Sequence, residues 1–160
     1  MDALPEAASV QRKILVIDDA RPVLETLGSM LKTSGYRVTC VPSGVGALAA
    51  ARLTSFDAAL IDVFMPEMDG YETAIRLREQ SDKRGREIRM WHITGMNSLA
   101  VEARSAECGM MGLILKPFIL ADLCRLLEAG FNLPVPPPGT YVPPPPPPKK
   151  ESPHEPKPGP

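Results

Sequence analysis

Five short apolar runs, each followed by a longer amphipathic stretch, constrain this chain more than any other feature. They are ILVI at 14–17, RVTCV at 37–41, DAALI at 57–61, IRMWHI at 88–93 and GLIL at 112–115. Four of them are nearly continuous rather than alternating, the pattern of strands covered on both faces in a parallel sheet. Helix signals fill the gaps. Pro22 suits a first turn, and Val23, Leu24, Leu27, Met30 and Leu31 share one helical face. Ser34-Gly35 stops that helix, and Ser43 can cap an alanine-rich one through Leu53. A third helix is predicted over Tyr71–Gln80, and a fourth from the Ser98 cap to Cys108-Gly109. Leu120, Leu123, Leu126 and Leu127 mark the inner face of a fifth. Strict alternation of five strand–helix units predicts an α/β domain with right-handed crossovers. Residues 12–130 are enough for one core, preceded by an N-terminal extension at 1–11.

In an open sheet of this kind, ligands bind beyond the carboxyl ends of the strands, where strand order reverses. A common order for five units is 2-1-3-4-5, with the crevice between strands 1 and 3. The first run ends in Asp18-Asp19 and the third in Asp62. Carboxylates gathered there raise one another's pKa unless a cation sits among them. Oxygen-only ligands point to a hard ion, Mg²⁺ or Mn²⁺. The fourth run ends in Thr94 and the fifth in Lys116, which deliver a hydroxyl and an ammonium to the same edge. A carboxylate nucleophile, a divalent cation, a hydroxyl and a lysine together make a phosphoryl-handling site.

IDD at 17–19, LIDVFMPEMDGYE at 60–72, ITG at 93–95 and LKPF at 115–118 resemble the receiver domain of two-component response regulators. The likeness covers residues 12–130, and the flavodoxin-like strand order comes partly with it. The resemblance implies that Asp62 is the phosphoacceptor for a histidine kinase or a histidine phosphotransfer protein. It implies Asp19 as a direct metal ligand, Asp18 acting mainly through water, and a metal contact from the Phe64 backbone carbonyl. Thr94 and Lys116 would bind the phosphoryl oxygens. The Lys116-Pro117 bond is often cis in such proteins, which would hold the lysine in its reaching pose. A downstream protein would be met on the face formed by the fourth and fifth strands and helices.

Bland roles compete at several positions. Asp18 alone also suits a helix N-cap. Asp69-Gly70 reads as a turn and the cap of the third helix, and Met65-Pro66 as shaping the loop before it. His92, inside MWHI, reads as a satisfied core histidine rather than a phosphocarrier, and Cys108 and Cys124 as small apolar fillers. One position departs from the family: Leu113 stands three residues before Lys116, where Tyr or Phe is usual. Signalling through a swinging aromatic ring is therefore in doubt, and backbone shifts near Thr94 and Gly95 are the expected substitute.

Composition narrows the function further. A net charge of -1 and a pI near 6.1 give no basic footprint for nucleic acid or an anionic membrane. No run reaches the ~20 apolar residues of a membrane helix, and MDALPEAASVQRK has no signal-peptide core. Three widely spaced cysteines, Cys40, Cys108 and Cys124, fit reduced thiols, so a cytoplasmic protein is expected. Fourteen of the chain's 19 prolines lie after residue 133, which predicts a disordered proline-rich tail over 131–160. Polyproline II is its natural conformer, and a groove that binds proline motifs is a possible partner. No DNA-binding segment follows the fifth helix, so a single-domain regulator working by protein contact is the leading expectation. A phosphorylation-independent adaptor acting through the tail and a receiver segment of a hybrid kinase are the alternatives. Phe64 stands where phosphatases on related sheets carry a second acid, so self-modification rather than enzymatic turnover is expected.

Overall fold

Each apolar run becomes a strand, and each gap becomes a helix. A computed structural model of the protein describes residues 10–139. The extension proposed at 1–11 and the tail proposed at 131–160 thus lie largely outside the described residues. The strands are β1 (Lys13–Ile17), β2 (Arg37–Val41), β3 (Ala58–Asp62), β4 (Arg89–Thr94) and β5 (Gly112–Leu115). The helices are α1 (Arg21–Thr33), α2 (Gly44–Leu53), α3 (Gly70–Asp82), α4 (Leu99–Glu107) and α5 (Leu120–Phe131). All strand pairs are parallel, in the order β2-β1-β3-β4-β5, so the flavodoxin-like topology holds.

The sheet separates two apolar layers, as the continuous runs require. Leu15, Ile17, Ala59, Ile61 and Met90 point toward Ala47, Ala74, Leu77 and Val101 of α2, α3 and α4. Ile14, Val16, Leu60, Trp91 and Ile93 point toward Leu24, Leu27, Leu31, Leu123 and Leu127 of α1 and α5. The central strand β3 is buried at every residue, whereas Arg37, Thr39 and Cys40 of the edge strand β2 are exposed. This explains why β2 was the most polar of the five runs.

Local chemistry sets the helix ends. Ser43 accepts from the Gly46 amide at 3.0 Å and Ser98 from the Val101 amide at 3.2 Å. Asp69 accepts from the Glu72 amide at 2.9 Å, and its helix runs two residues beyond the predicted end at Gln80. Gly109, at a φ of 70°, closes α4. One competing role is not taken up, and one sequence expectation fails. Ala20, not Asp18, occupies the N-cap of α1, because Asp18 lies two residues upstream and turns its Oδ1 onto the Ala20 amide at 2.8 Å. Leu126 is 36% exposed; Leu123, Leu127, Gly130 and Phe131 fill the inner face of α5.

The beginning of the proline-rich segment is anchored. Arg89 donates to the carbonyls of Gly130 and Leu133 at 3.0 and 2.9 Å. Arg78 Nη1 donates to the Pro136 carbonyl at 3.1 Å, and its Nη2 donates to the Gly109 carbonyl. The Gly139 amide reaches the Ala106 carbonyl at 3.3 Å.

The facing of α5 predicts a contrast between neighbours. Leu127 is fully buried, so Leu127→Ala is expected to cost about 2–5 kcal/mol. Leu126→Ala is expected to cost under about 1 kcal/mol. Urea unfolding of both variants measures the difference, and equal costs would refute this placement of the helix.

Candidate functional site

Parallel pairing brings together residues that are distant in the sequence. β1 and β3 are neighbours in register from Ile14↔Ala58 to Ile17↔Ile61, so the residues that follow or end them, Asp18, Asp19 and Asp62, share one sheet edge. Carboxylate oxygens from all three lie within 4.8 Å of one another. Asp62 is opposite Ile93 on β4, which puts Thr94 one step along on the adjacent strand. Thr94 is opposite Leu115 on β5, and the Lys116 amide donates to the Thr94 carbonyl at 2.8 Å.

Lys116 supplies the opposing charge. Its Nζ is 2.9 Å from Asp18 Oδ2 and 3.8 Å from Asp62 Oδ1. The Lys116–Pro117 bond is cis. Asp18 is buried with both oxygens engaged, one by the Ala20 amide and one by the lysine. Asp19 is exposed at the rim. Asp62 is mostly buried, and its carboxyl is pushed up to about 6. Burial is the main cause, followed by the negative charge of Asp18; Lys116 and the Phe64 amide pull the other way. Such a site favours whatever offsets the charge on Asp62: a proton or a cation.

The donor set fits a hard divalent cation. It offers oxygens only, one carboxylate is exposed, and the cluster carries more negative charge than one lysine offsets. The Phe64 side chain is 52% exposed at the mouth. The Thr94 hydroxyl accepts from the Met96 amide at 3.0 Å, which places it at the start of the loop leading to α4.

Gly70 was not singled out as more than a turn residue, yet the site depends on it. A Cβ there would stand 2.2 Å from the Asp62 carbonyl oxygen and 2.8 Å from Val63 Cα. Only glycine lets the first turn of α3 close on the end of β3. The loop between them contains Met65-Pro66 and then Glu67 at a φ of 68°. His92 is a satisfied core histidine, as expected: its Nε2 lies 2.9 Å from the Gly70 carbonyl and its Nδ1 lies 2.8 Å from Ser105 Oγ. Burial lowers its pKa to about 4, so the ring is neutral near pH 7.

Residues 14–128 match the response regulator receiver domain family. The chain belongs to that family. The receiver domain is 32% identical over 142 aligned positions to Histidine kinase 3 of Arabidopsis thaliana, covering 77% of this chain and 14% of that protein. It is 32% identical over 117 positions to the response regulator MprA of Mycobacterium sp. (strain KMS), covering 73% of this chain and 49% of that protein. The receiver thus spans at most about half the length of these curated relatives. Among solved structures, chemotaxis protein CheY4 of Vibrio cholerae is 28% identical with a TM-score of 0.69, covering 74% of this chain and 98% of that one. The receiver domain of sensor histidine kinase PA1611 from Pseudomonas aeruginosa is 28% identical with a TM-score of 0.69, over 77% and 99% of the two chains. That structure has a magnesium ion coordinated in its active-site cleft. Among the described residues of the present receiver, no helix is long and apolar enough to cross a membrane.

The raised Asp62 value has a thermodynamic consequence. Its carboxyl ionises near 6 in the fold against 3.8 ordinarily, so the charged form at pH 7 destabilises the metal-free domain. Asp62→Asn is therefore expected to stabilise the metal-free domain by about 1–3 kcal/mol at pH 7. The gain shrinks as pH falls through 6 and vanishes below about 4, where both states hold the proton. Chemical denaturation of both proteins across that range, in chelator, checks the sign.

Proposed function

We propose that Asp62 accepts a phosphoryl group from a phosphohistidine of a kinase or phosphotransfer protein, and that the product signals by protein contact. The observation that carries this reading is the convergence of Asp18, Asp19 and Asp62 with Lys116 within ion-pair reach. An Asp62 oxygen attacks phosphorus, and the P–N bond to the partner's imidazole breaks. The electron pair of that bond returns to the departing ring nitrogen, and an acyl phosphate forms on Asp62. The Lys116 ammonium, already shared between Asp18 and Asp62, offsets the added charge and orients the group. Thr94 donates its O–H to a phosphoryl oxygen, while its oxygen accepts from the Met96 amide. Asp18, Asp19, Asp62 and the Phe64 carbonyl would hold Mg²⁺ or Mn²⁺, and magnesium bound in the PA1611 receiver supports this. When bound, the ion neutralises charge on the transferring oxygens.

This chemistry is self-modification and reversal, not turnover of outside substrates. The target meets the face built by β4, β5, α4 and α5, where Leu99 is 85% exposed and Ile119 68% exposed. The proline run at 143–148 suits a partner with an aromatic-lined groove. Similarity to Histidine kinase 3 favours a second setting, in which the same receiver works as one segment of a hybrid kinase. The role of Asp62 is the same in both.

Incubation with Mg²⁺ and acetyl phosphate, followed by intact mass measurement, is expected to show one added phosphoryl group. Asp62→Asn abolishes it, chelator prevents it, and Lys116→Ala leaves metal binding while blunting the downstream response. An adaptor independent of phosphorylation would show no added mass under any of these conditions.

A further inference from the structure

β4 is buried along nearly its whole length, yet an imidazole stands in its middle. His92 is fully buried, and so is the Ser105 hydroxyl beneath α4. Two polar groups in such a place cost stability unless each is partnered. Here each is, and the partners lie on two different helices. Gly70 O can only accept, so the ring nitrogen facing it, Nε2, carries the proton. Nδ1 of the neutral ring is then bare and accepts from the Ser105 hydroxyl. The tautomer is thus fixed by its surroundings. The Tyr71 ring packs edge-on against the imidazole, with centroids 5.1 Å apart and planes at 81°. Arg104 of α4 lies over that tyrosine's ring, 4.4 Å from its centroid. The seam between the first turn of α3 and α4 is therefore built from polar and aromatic groups, each with a defined direction.

The far side of this seam touches the phosphoacceptor. Gly70 lies so close to the Asp62 carbonyl that no side chain fits between them, and its amide donates to Val63 O at 2.8 Å. A shift of the Asp62 backbone must therefore move Gly70, and a shift of Gly70 must move or break its bond to His92. In sheet register His92 is flanked by Ile61, next to Asp62, and by Leu113.

We propose that His92 is a positioning residue that ties the Asp62–Gly70 unit to α4 through Ser105, and that this bridge carries the phosphorylation signal to the α4 face. The inference rests on Asp62 being the phosphoacceptor. The ring is a rigid rod: one nitrogen follows the α3 turn, and the other holds the α4 hydroxyl. It acts through its neighbours and takes no part in phosphoryl chemistry.

The test uses the full chain labelled with ¹⁵N, with Mg²⁺ and beryllofluoride as the phosphoryl mimic. The wild type is expected to show shift changes at 62–64 and along 99–107, and long-range ¹H–¹⁵N spectra to show the Nε2-protonated tautomer of His92. In Ser105→Ala the changes at 62–64 persist, while those at 99–107 fall about fivefold, the equilibrium equivalent of one lost neutral hydrogen bond. Ser105→Thr returns the hydroxyl and restores them. His92→Leu gives the same loss as Ser105→Ala, and Ser105→Ala carries the test alone if the leucine variant does not fold. An undiminished α4 response in Ser105→Ala overturns the bridge while leaving Asp62 as the acceptor. A wild type that responds at 62–64 but not at 99–107 does the same. A wild type with no response at Asp62 overturns the phosphoacceptor reading and the bridge with it.

Discussion

Carboxylate repulsion at one edge of the sheet, offset by a single lysine, is the constraint on which the rest depends. Asp18 and Asp62 are both buried at the carboxyl ends of adjacent strands, and Asp19 stands beside them. Water cannot screen two of the three, so their mutual repulsion persists at ordinary salt. Lys116 answers from β5, two strands away from β3, by reaching over β4. The pair it makes with Asp18 is close and partly sheltered, and its contact with Asp62 is looser. Burial first, and the charge of Asp18 second, then raise the Asp62 pKa, and the looser lysine contact only partly opposes them. A hydrophobic residue in place of Lys116 alone would leave the two buried carboxylates unopposed and destabilise this edge.

The sheet around this edge exists to hold it. Side chains of β1 and β3 are buried on both faces, so their ends have little freedom. Gly70 closes the α3 turn onto Asp62 from one side, and the Lys116 amide bonds to Thr94 from the other. The helices contribute by covering the two apolar faces rather than by supplying site residues.

Much of this was legible in the sequence, because the signals were local or periodic. Continuous apolar runs such as ILVI and AALI declared buried strands, and Ser43 and Ser98 declared helix starts that the structure shows capped. Asp18, Asp19, Asp62, Thr94 and Lys116 could be placed at one edge because each ends or follows a run. What stayed hidden depended on side-chain direction or close approach. Asp18 looked like a possible cap, but its carboxylate serves the Ala20 amide and Lys116 instead. Leu126 fits an apolar spacing, yet it falls outside the buried arc set by Leu123 and Leu127. Gly70 announced a turn but not its close approach to Asp62, since no pattern records that a Cβ there would stand 2.2 Å from a carbonyl eight residues back. Nor did MWHI reveal that its histidine spans two helices.

The Arg78 clamp has a geometric outcome. In this topology the acids sit at the carboxyl edge of the sheet, while Arg78, Gly109 and Arg89 lie toward the amino edge. By holding Pro136 there, the guanidinium keeps the described stretch after α5 at the pole opposite the acids.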